Sequence, residues 1–122
     1  MSKEIKFEVW DTHLKTMLKD AHLYHEFIRY LRDSRYIKLQ FTGLQDKNSK
    51  DIYNGNILGS EGMVIGYVIG GVRGYCYDVI YKTPLSNGET RWSLYATVTS
   101  DYKDRIEILG NIYEHPHLLN EH

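Results

Sequence analysis

Two histidines and a glutamate lie close enough in the sequence to share a metal ion. His22, His25 and Glu26 have the spacing of residues about one helical turn apart, and histidines placed in this way can chelate a transition metal. A tetrahedral site needs further ligands, and only the distant His115 or His117 could supply them. We therefore interpret the cluster as a solvated polar face, and we predict no metal site and no other cofactor.

Phosphate binding and nucleophilic catalysis are the next chemistries that the residue types suggest. Gly66, Gly70, Gly71 and Gly74 are dense enough for a phosphate loop, but extended segments flank them where that loop needs a helix. They are interpreted as hairpin glycines. Cys76 lies within a predicted strand and has no nearby histidine to activate it. Because the acidic residues also show no acid/base spacing, the sequence predicts a protein that is not an enzyme.

Basic and aromatic residues alternate in the second half of the chain, as they do in proteins that bind single-stranded nucleic acid. The candidate surface consists of Arg73, Tyr75, Arg91 and Trp92. Acidic residues fall in the same stretch, and the net charge is −1 with histidine neutral. Nucleic-acid binders usually carry a basic stripe and a high pI. A small-barrel nucleic-acid accessory protein therefore stays as the alternative reading and is not favoured.

The composition is that of one ordinary globular domain. The chain has 122 residues, which is within the usual range for a single domain. Its apolar runs are too short to cross a bilayer, nothing in it resembles a signal peptide, and one cysteine allows no intrachain disulfide. We therefore expect a cytoplasmic protein with no membrane partner. Eleven tyrosines favour a β-rich fold, because tyrosine suits half-buried pleated surfaces.

Hydrophobic periodicity predicts one helix among many strands. Apolar residues recur with a period near 3.6 only between residues 20 and 33, where Leu23, Phe27 and Tyr30 share one face and Asp20 is placed to cap the start. Alternation with period 2 predicts the strands. These cover residues 5–10, 36–41, 63–69, 75–81 and 92–98. A last strand opens at residues 106–108 and ends near 110–113, and residues 14–19 form a further short strand or a lead into the helix.

These elements predict an α+β fold that is mainly antiparallel β and forms a single domain. Residues 1–42 are expected to form an α+β part, in which the helix packs on the N-terminal strands. Residues 43–122 are expected to be mostly β, with 52–58 and the strands of 63–112 closed into one barrel. A polar loop over residues 42–51 is expected to contain a tight turn at 46–49.

Three segments resemble the YopX-like family of phage and prophage proteins. They read IKFEVWD at residues 5–11, QFTGLQDKNSKDIYNGNI at 40–57 and ILGNIYEHPHLL at 108–119. The resemblance implies a small α+β domain that ends in an SH3-like barrel, and it brings no catalytic residues. The family-motif residues have the character of structural positions. They are Trp10, Gly43, Leu44, Asp46, Tyr53, Gly55, Gly110, Asn111, Tyr113, Pro116, Leu118 and Leu119.

The chain departs from the family pattern in its turns. Ser49 stands where the family usually has glycine, so we expect Asn48 to adopt any positive φ that the turn needs. Asn54 and Asn56 stand where acidic residues usually flank the second glycine. After Pro116, which suits the first position of a helical turn, we expect the final leucine pair to pack against the domain.

The resulting functional hypothesis is a phage- or prophage-encoded protein of the bacterial host's cytoplasm that is not an enzyme. It would act by self-association or by binding a host or phage macromolecule. Self-association is expected because residues 63–69 contain no Lys or Arg, so this strand would be unguarded as an edge. We expect a homo-oligomer whose interface includes tyrosines of residues 75–81 or of the neighbouring strand.

Overall fold

The first sheet is formed by the N-terminal third of the chain together with a hairpin partner. The computed structural model describes residues 5–70, 77–82, 89–99 and 104–119. In the first sheet all strand pairs are antiparallel, and the order is β2-β1-β3-β4. Its strands are β1 (Phe7–Asp11), β2 (Thr16–Leu18), β3 (Tyr36–Gln45) and β4 (Asp51–Tyr53). The alternative for residues 14–19 is thereby settled in favour of a short strand.

The second sheet contains the remaining strands and curls into a half-barrel. It too is antiparallel throughout, with the order β8-β7-β6-β5-β9. Its strands are β5 (Asn56–Ser60), β6 (Met63–Gly70), β7 (Tyr77–Lys82), β8 (Glu89–Ser93) and β9 (Ile106–Asn111). Because β9 pairs with β5, the end of the chain returns to the middle of the sequence.

The predicted single barrel of residues 52–58 and 63–112 is wrong in its first strand. The chain changes sheet between β4 and β5, at Gly55, whose φ is 90°. The Gly55 amide donates to the carbonyl of Val68, and the Gly55 carbonyl accepts from the amide of Ile112. The mainly antiparallel β character is confirmed. Among the described residues, no strand pairing closes the second sheet into an SH3-like barrel.

Strand β6 is not an edge strand, so the edge argument drawn from residues 63–69 is wrong. β6 lies between β5 and β7, and neighbours on both sides explain why it carries no charged residue. The open side of β9 is instead covered by the turn that follows β3. There the Lys47 amide donates to the carbonyl of Ile106 at 2.9 Å, and the Ile108 amide donates to Asp46 Oδ2 at 2.9 Å.

The predicted helix over residues 20–33 is two shorter pieces. A 3₁₀ helix covers Ala21–Leu23, and α1 covers Phe27–Arg32, with extended backbone at Tyr24 between them. Asp20 has a φ of 54° and makes no side-chain cap, so the cap prediction is also wrong. The aromatic, β-branched and histidine residues of this segment are mediocre helix formers, so burial on the sheet decides where it is helical.

A second helix replaces the second half of the strand predicted at residues 92–98. β8 ends at Ser93, and α2 covers Leu94–Thr99. The Ser93 hydroxyl accepts from the amide of Ala96 at 3.2 Å, which is an N-cap bond. Leu94, Thr97 and Val98 are the buried residues of α2. Leu94 and Val98 are four positions apart, which fits both a helix face and the alternation of a strand. The alternation therefore predicts a strand where the structure has a helix.

Two hydrophobic clusters hold the fold. The larger lies on the second sheet and consists of Ile52, Leu58, Val68, Val79, Leu94, Val98 and Ile106. The smaller lies on the first sheet, under α1, and consists of Val9, Ala21, Tyr30 and Tyr36, with Leu18 and Phe27 packed against it. In the part of the chain that the structure describes, no helix is long and apolar enough to cross a membrane.

A partly buried ion pair fixes the loop that follows α1 to the end of β1. The Arg35 guanidinium donates to both oxygens of Asp11, from Nε at 2.9 Å and from Nη2 at 2.8 Å. The amides of His13 and Leu14 donate to the same carboxylate. The hydrogen bonds from Arg35, more than any other contact, hold the pKa of Asp11 far below its usual range.

Asp11→Asn is therefore expected to make the protein less stable at neutral pH and to remove part of its acid sensitivity. Since the folded-state pKa of Asp11 is depressed, its contribution is present above its unfolded pKa of about 4 and is lost as the pH falls below that value. Urea unfolding from neutral pH down to about pH 2 should show the difference between wild type and variant shrinking as pH falls. A difference independent of pH would contradict this.

Candidate functional site

The carboxylate of Asp46 ties the central family motif to the last strand. Its Oδ1 accepts from the amides of Asn48 at 2.8 Å and Lys50 at 3.0 Å, and its Oδ2 accepts from the amide of Ile108. The predicted turn at residues 46–49 is confirmed by the bond from the Ser49 amide to the Asp46 carbonyl. The positive φ, 61°, belongs to Ser49, so the expectation that Asn48 would adopt it is wrong.

Strand β3 also runs further than predicted, through the first part of the expected polar loop. It continues to Gln45 and passes an irregularity between Phe41 and Gln45, where Gly43 has a φ of 87°. Leu44 packs against the larger hydrophobic cluster. The two motif residues Gly43 and Leu44 thus bend the strand and bring it from the first sheet onto the second.

The C-terminal motif is a turn organised by one asparagine. Asn111 Oδ1 accepts from the amides of Tyr113 at 3.0 Å and Glu114 at 2.8 Å, and Asn111 Nδ2 donates to Glu114 Oε1 at 2.8 Å. The Asn111 amide donates to Nδ1 of His115 at 3.2 Å. A side chain at Gly110 would stand 2.5 Å from that same ring nitrogen, so glycine leaves room for His115.

An aromatic contact joins the two sheets. The ring of Tyr113 stacks on Trp10 of β1 with centroids 5.8 Å apart, and a Cβ at Gly55 would lie 3.1 Å from the tyrosine ring. The Tyr53 amide donates to Asn56 Oδ1 at 2.7 Å and closes the corner between β4 and β5. All of these are family-motif or motif-flanking positions, and each one performs a structural task.

The end of the described chain is a 3₁₀ helix, Pro116–Leu119, which contacts β6. Pro116 is its first residue, as predicted. Leu118 and Leu119 are both half-buried. The expectation that the leucine pair packs against the domain therefore agrees with the structure, although neither side chain reaches a core.

A groove of about 450 Å³ lies where the two sheets meet. Residues of β1, β4, β5 and β9 contribute to its walls. Its lining is strongly polar and includes four carboxylates and two lysines. The lining residues are Glu8, Lys19, Asp20, Lys50, Asp51, Tyr53, Asn56, Ile108, Gly110, Asn111, Glu114 and His115. The groove thus brings residues of the second and third family segments together with β1.

Glu8 is a mostly buried acid of the groove. Its side chain is 10% exposed, and Oε2 lies 3.6 Å from Nζ of Lys19. Burial raises the pKa of Glu8, and the carboxylates of Glu114 and Asp20 add to the rise against the opposing effect of Lys19. Burial, together with the nearby Glu8 carboxylate, likewise raises the pKa of Tyr53 to about 12.

Most of the polar side chains that line the groove have partners within the protein. Asp51 accepts from Lys6 Nζ at 2.9 Å and from Gln45 Nε2 at 3.0 Å. Every buried side-chain nitrogen or oxygen in the described ranges has a hydrogen-bond partner. His22, from the predicted polar cluster, accepts the amide of Phe7 at Nδ1, at 3.1 Å. The arrangement is that of a structural seam between the sheets.

Glu8→Gln is expected to have the opposite pH dependence to Asp11→Asn. Because the folded-state pKa of Glu8 is raised above 4.5, the favourable protonated form is lost as the pH rises through that folded value. A glutamine stays neutral, so the variant should gain stability relative to wild type between about pH 4 and pH 7. Chemical unfolding over this interval measures it, and a relative loss of stability with rising pH would refute the argument.

The outer side of the helical segment over the first sheet is apolar and exposed. Tyr30 faces the small cluster, but Leu23 is 73% exposed and Ile28 is 65% exposed. Tyr24 and Leu31 are 47% and 43% exposed. We call these four side chains, Leu23, Tyr24, Ile28 and Leu31, the lid surface. The sequence pattern predicts burial here instead, because it places Leu23 on the apolar face of one longer helix.

None of the four residues predicted for nucleic-acid binding has a side chain that the structure describes. Arg73 and Tyr75 lie outside the described residues. Arg91 and Trp92 belong to β8 by their backbone, and their side chains lie outside what the structure describes.

The fold and the motif turns define a class of small, mainly antiparallel β proteins in which two sheets are joined through turns at Asp46 and Asn111. The chain matches the family model described as YopX protein over residues 12–120, and it belongs to that family. The crystal structure of protein EF1440 from Enterococcus faecalis is similar over 97% of this chain and 99% of that one, with a TM-score of 0.51. At 22% identity this likeness concerns the fold alone. No functionally curated protein matches the chain.

Proposed function

We propose that this chain is a phage- or prophage-encoded binding domain of the bacterial cytoplasm that acts by self-association and not by catalysis. The observation that carries the proposal is the lid surface, four large apolar side chains that are exposed together on one short segment. Exposed apolar patches of a few hundred Å² on soluble proteins commonly mark interaction sites.

The contacts of the family-motif residues also support this proposal, because they are structural. Asp46, Asn111, Gly55 and Gly110 are each accounted for by a backbone hydrogen bond or a close contact within the chain. Glycines and buried hydrogen-bonding side chains of this kind preserve a fold and do not by themselves supply a reaction. The residues available to act on another molecule are therefore sought on the surface, where the lid surface lies.

Two alternative partners are a host or phage protein and a nucleic acid. A host or phage protein could be the partner in place of a second copy. Binding to nucleic acid would rest on Arg73, Tyr75, Arg91 and Trp92, and it stays a prediction of the sequence.

Light scattering behind a sizing column tests the proposal. Samples of the full chain at concentrations from about 5 to 500 μM, a range that spans weak to moderate affinities, should give a mass that rises with concentration above the 14.4 kDa of one chain. A mass that stays at 14.4 kDa over the whole range would overturn self-association. Fluorescence titration of a single-stranded oligonucleotide at low and physiological salt separates the nucleic-acid alternative, whose affinity must fall steeply with salt.

A further inference from the structure

We propose that two copies of this chain associate through the lid surface, with α1 of one copy packed against α1 of the other about a two-fold axis. The inference rests on the proposed function and names the surface that performs it. It names a different surface from the interface expected on the tyrosines of residues 75–81 or of the neighbouring strand.

The inner side of α1 is firmly seated, so the outer side is presented in a fixed orientation. The Tyr30 ring packs on Tyr36 with centroids 4.8 Å apart, and the Phe27 ring packs on Phe7 at 5.2 Å. The outer residues Ile28 and Leu31 are three positions apart, which places them side by side on a helix. A two-fold axis between positions 29 and 30 sets Ile28 of one copy opposite Leu31 of the other.

The charges around the lid surface favour a second copy over a strongly charged partner. Glu26 and Asp33 flank α1 with negative charge, and Arg29 and Arg32 carry positive charge on it. All four side chains are exposed. Because the two signs balance on this segment, the surface meets its own copy without net repulsion, and both signs are available to form a complementary rim. The whole chain, with a net charge of −1, adds little repulsion.

The area of the lid surface fits a weak dimer. From their exposed fractions, the four side chains offer about 400 Å² per copy, which is within the range of functional patches on monomers. A two-fold contact would therefore bury about 800 Å² of apolar side chain in total, below the roughly 1,200–2,000 Å² of stable interfaces. The association is thus expected to be reversible and dependent on concentration.

Sedimentation velocity on the full chain and three variants tests this surface. Ile28→Glu and Leu23→Glu each place a charge in the proposed contact, and Met63→Glu is the matched control, because Met63 is 74% exposed and lies on the second sheet. Wild type and Met63→Glu should move together from 14.4 kDa towards twice that mass as concentration rises. The two lid variants should need at least about ten times more protein to reach the same dimer fraction, since the charge must be desolvated in the contact.

Each outcome decides between the two claims. If wild type stays monomeric, both the proposed function and this inference fail. If wild type associates and the lid variants associate equally well, the lid surface is refuted and self-association stands. Circular dichroism checks that the variants are folded. Should Ile28→Glu disturb α1, Leu23→Glu decides the matter, because Leu23 precedes α1 and is mostly exposed.

Discussion

Gly66→Ala is expected to destabilise the protein by about 3 kcal/mol or more, which is the upper range for overpacking a core. Gly66 is buried in β6, paired with Leu58 on one side and Tyr81 on the other. A Cβ at this position would run into the carbonyl group of Ile80, whose carbon would stand 2.9 Å away. Because that obstacle is backbone of the neighbouring strand, the sheet must move to admit even one methyl group.

Thermal unfolding followed by circular dichroism measures the effect, and Gly62→Ala is its control. Gly62 lies in the two-residue turn between β5 and β6 with a φ of 80°, and a Cβ there meets nothing within 4 Å. The same chemical change at Gly62 should therefore cost only the backbone term, about 1–2 kcal/mol. If Gly66→Ala melts at the same temperature as Gly62→Ala, the close approach of β6 and β7 is refuted.

Asp46→Ala is expected to cost about 3–5 kcal/mol, because three backbone amides lose a charged acceptor together. Those amides belong to Asn48, Lys50 and Ile108, and Asp46 itself is 8% exposed. The variant should therefore loosen both the turn after β3 and the edge of β9 that this turn covers. Urea unfolding at neutral pH gives the change in free energy.

Two companion variants make the Asp46 result specific. Asp46→Asn keeps one carbonyl oxygen and should lose roughly half as much stability, since hydrogen bonds to charged groups contribute about twice as much as neutral ones. Asp104→Ala removes an exposed acid two residues before β9 and should change the free energy of unfolding by no more than about 0.5 kcal/mol. Equal midpoints for Asp46→Ala and Asp104→Ala would contradict the role given to Asp46.

The sequence predicts local structure well wherever one local pattern decides it. Alternation locates β1 and β6, and the Asp-Lys-Asn-Ser stretch predicts the turn at residues 46–49, because turn residues act through their own neighbourhood. The N-cap of α2 was visible as Ser93, with buried residues following at helical spacing, and only the competing alternation hid it.

What escapes the sequence depends on contacts between distant segments. The alternation of β6 does not say whether the strand lies at an edge or inside, because sheet order is a long-range property. Gly66 looks like a hairpin glycine until its neighbour β7 is known. Glu8 alternates as an outward-facing residue of β1, and its burial arises from the second sheet, which closes the groove over it.

The exposure of the lid surface also depends on contacts between distant segments, so the sequence does not predict it. Leu23, Phe27 and Tyr30 have the period of a buried helix face, so the pattern predicts burial for the apolar side of this segment. In the structure the helix breaks at Tyr24, and α1 packs Phe27 and Tyr30 on the first sheet while Ile28 and Leu31 face outward. A core as small as the cluster under α1 cannot cover every apolar residue of the segment above it. The exposed remainder is the surface that we propose for association.

A dilution series of the isotope-labelled wild-type protein, followed by NMR, tests the central claim most directly. Backbone amide signals of residues 23–32 should shift progressively as the concentration rises from about 20 μM to 1 mM, the range in which a weak dimer becomes populated. Signals of β5, β6 and β9 should stay in place. Shifts confined to the second sheet, or spectra that do not change with concentration, would contradict association through the lid surface.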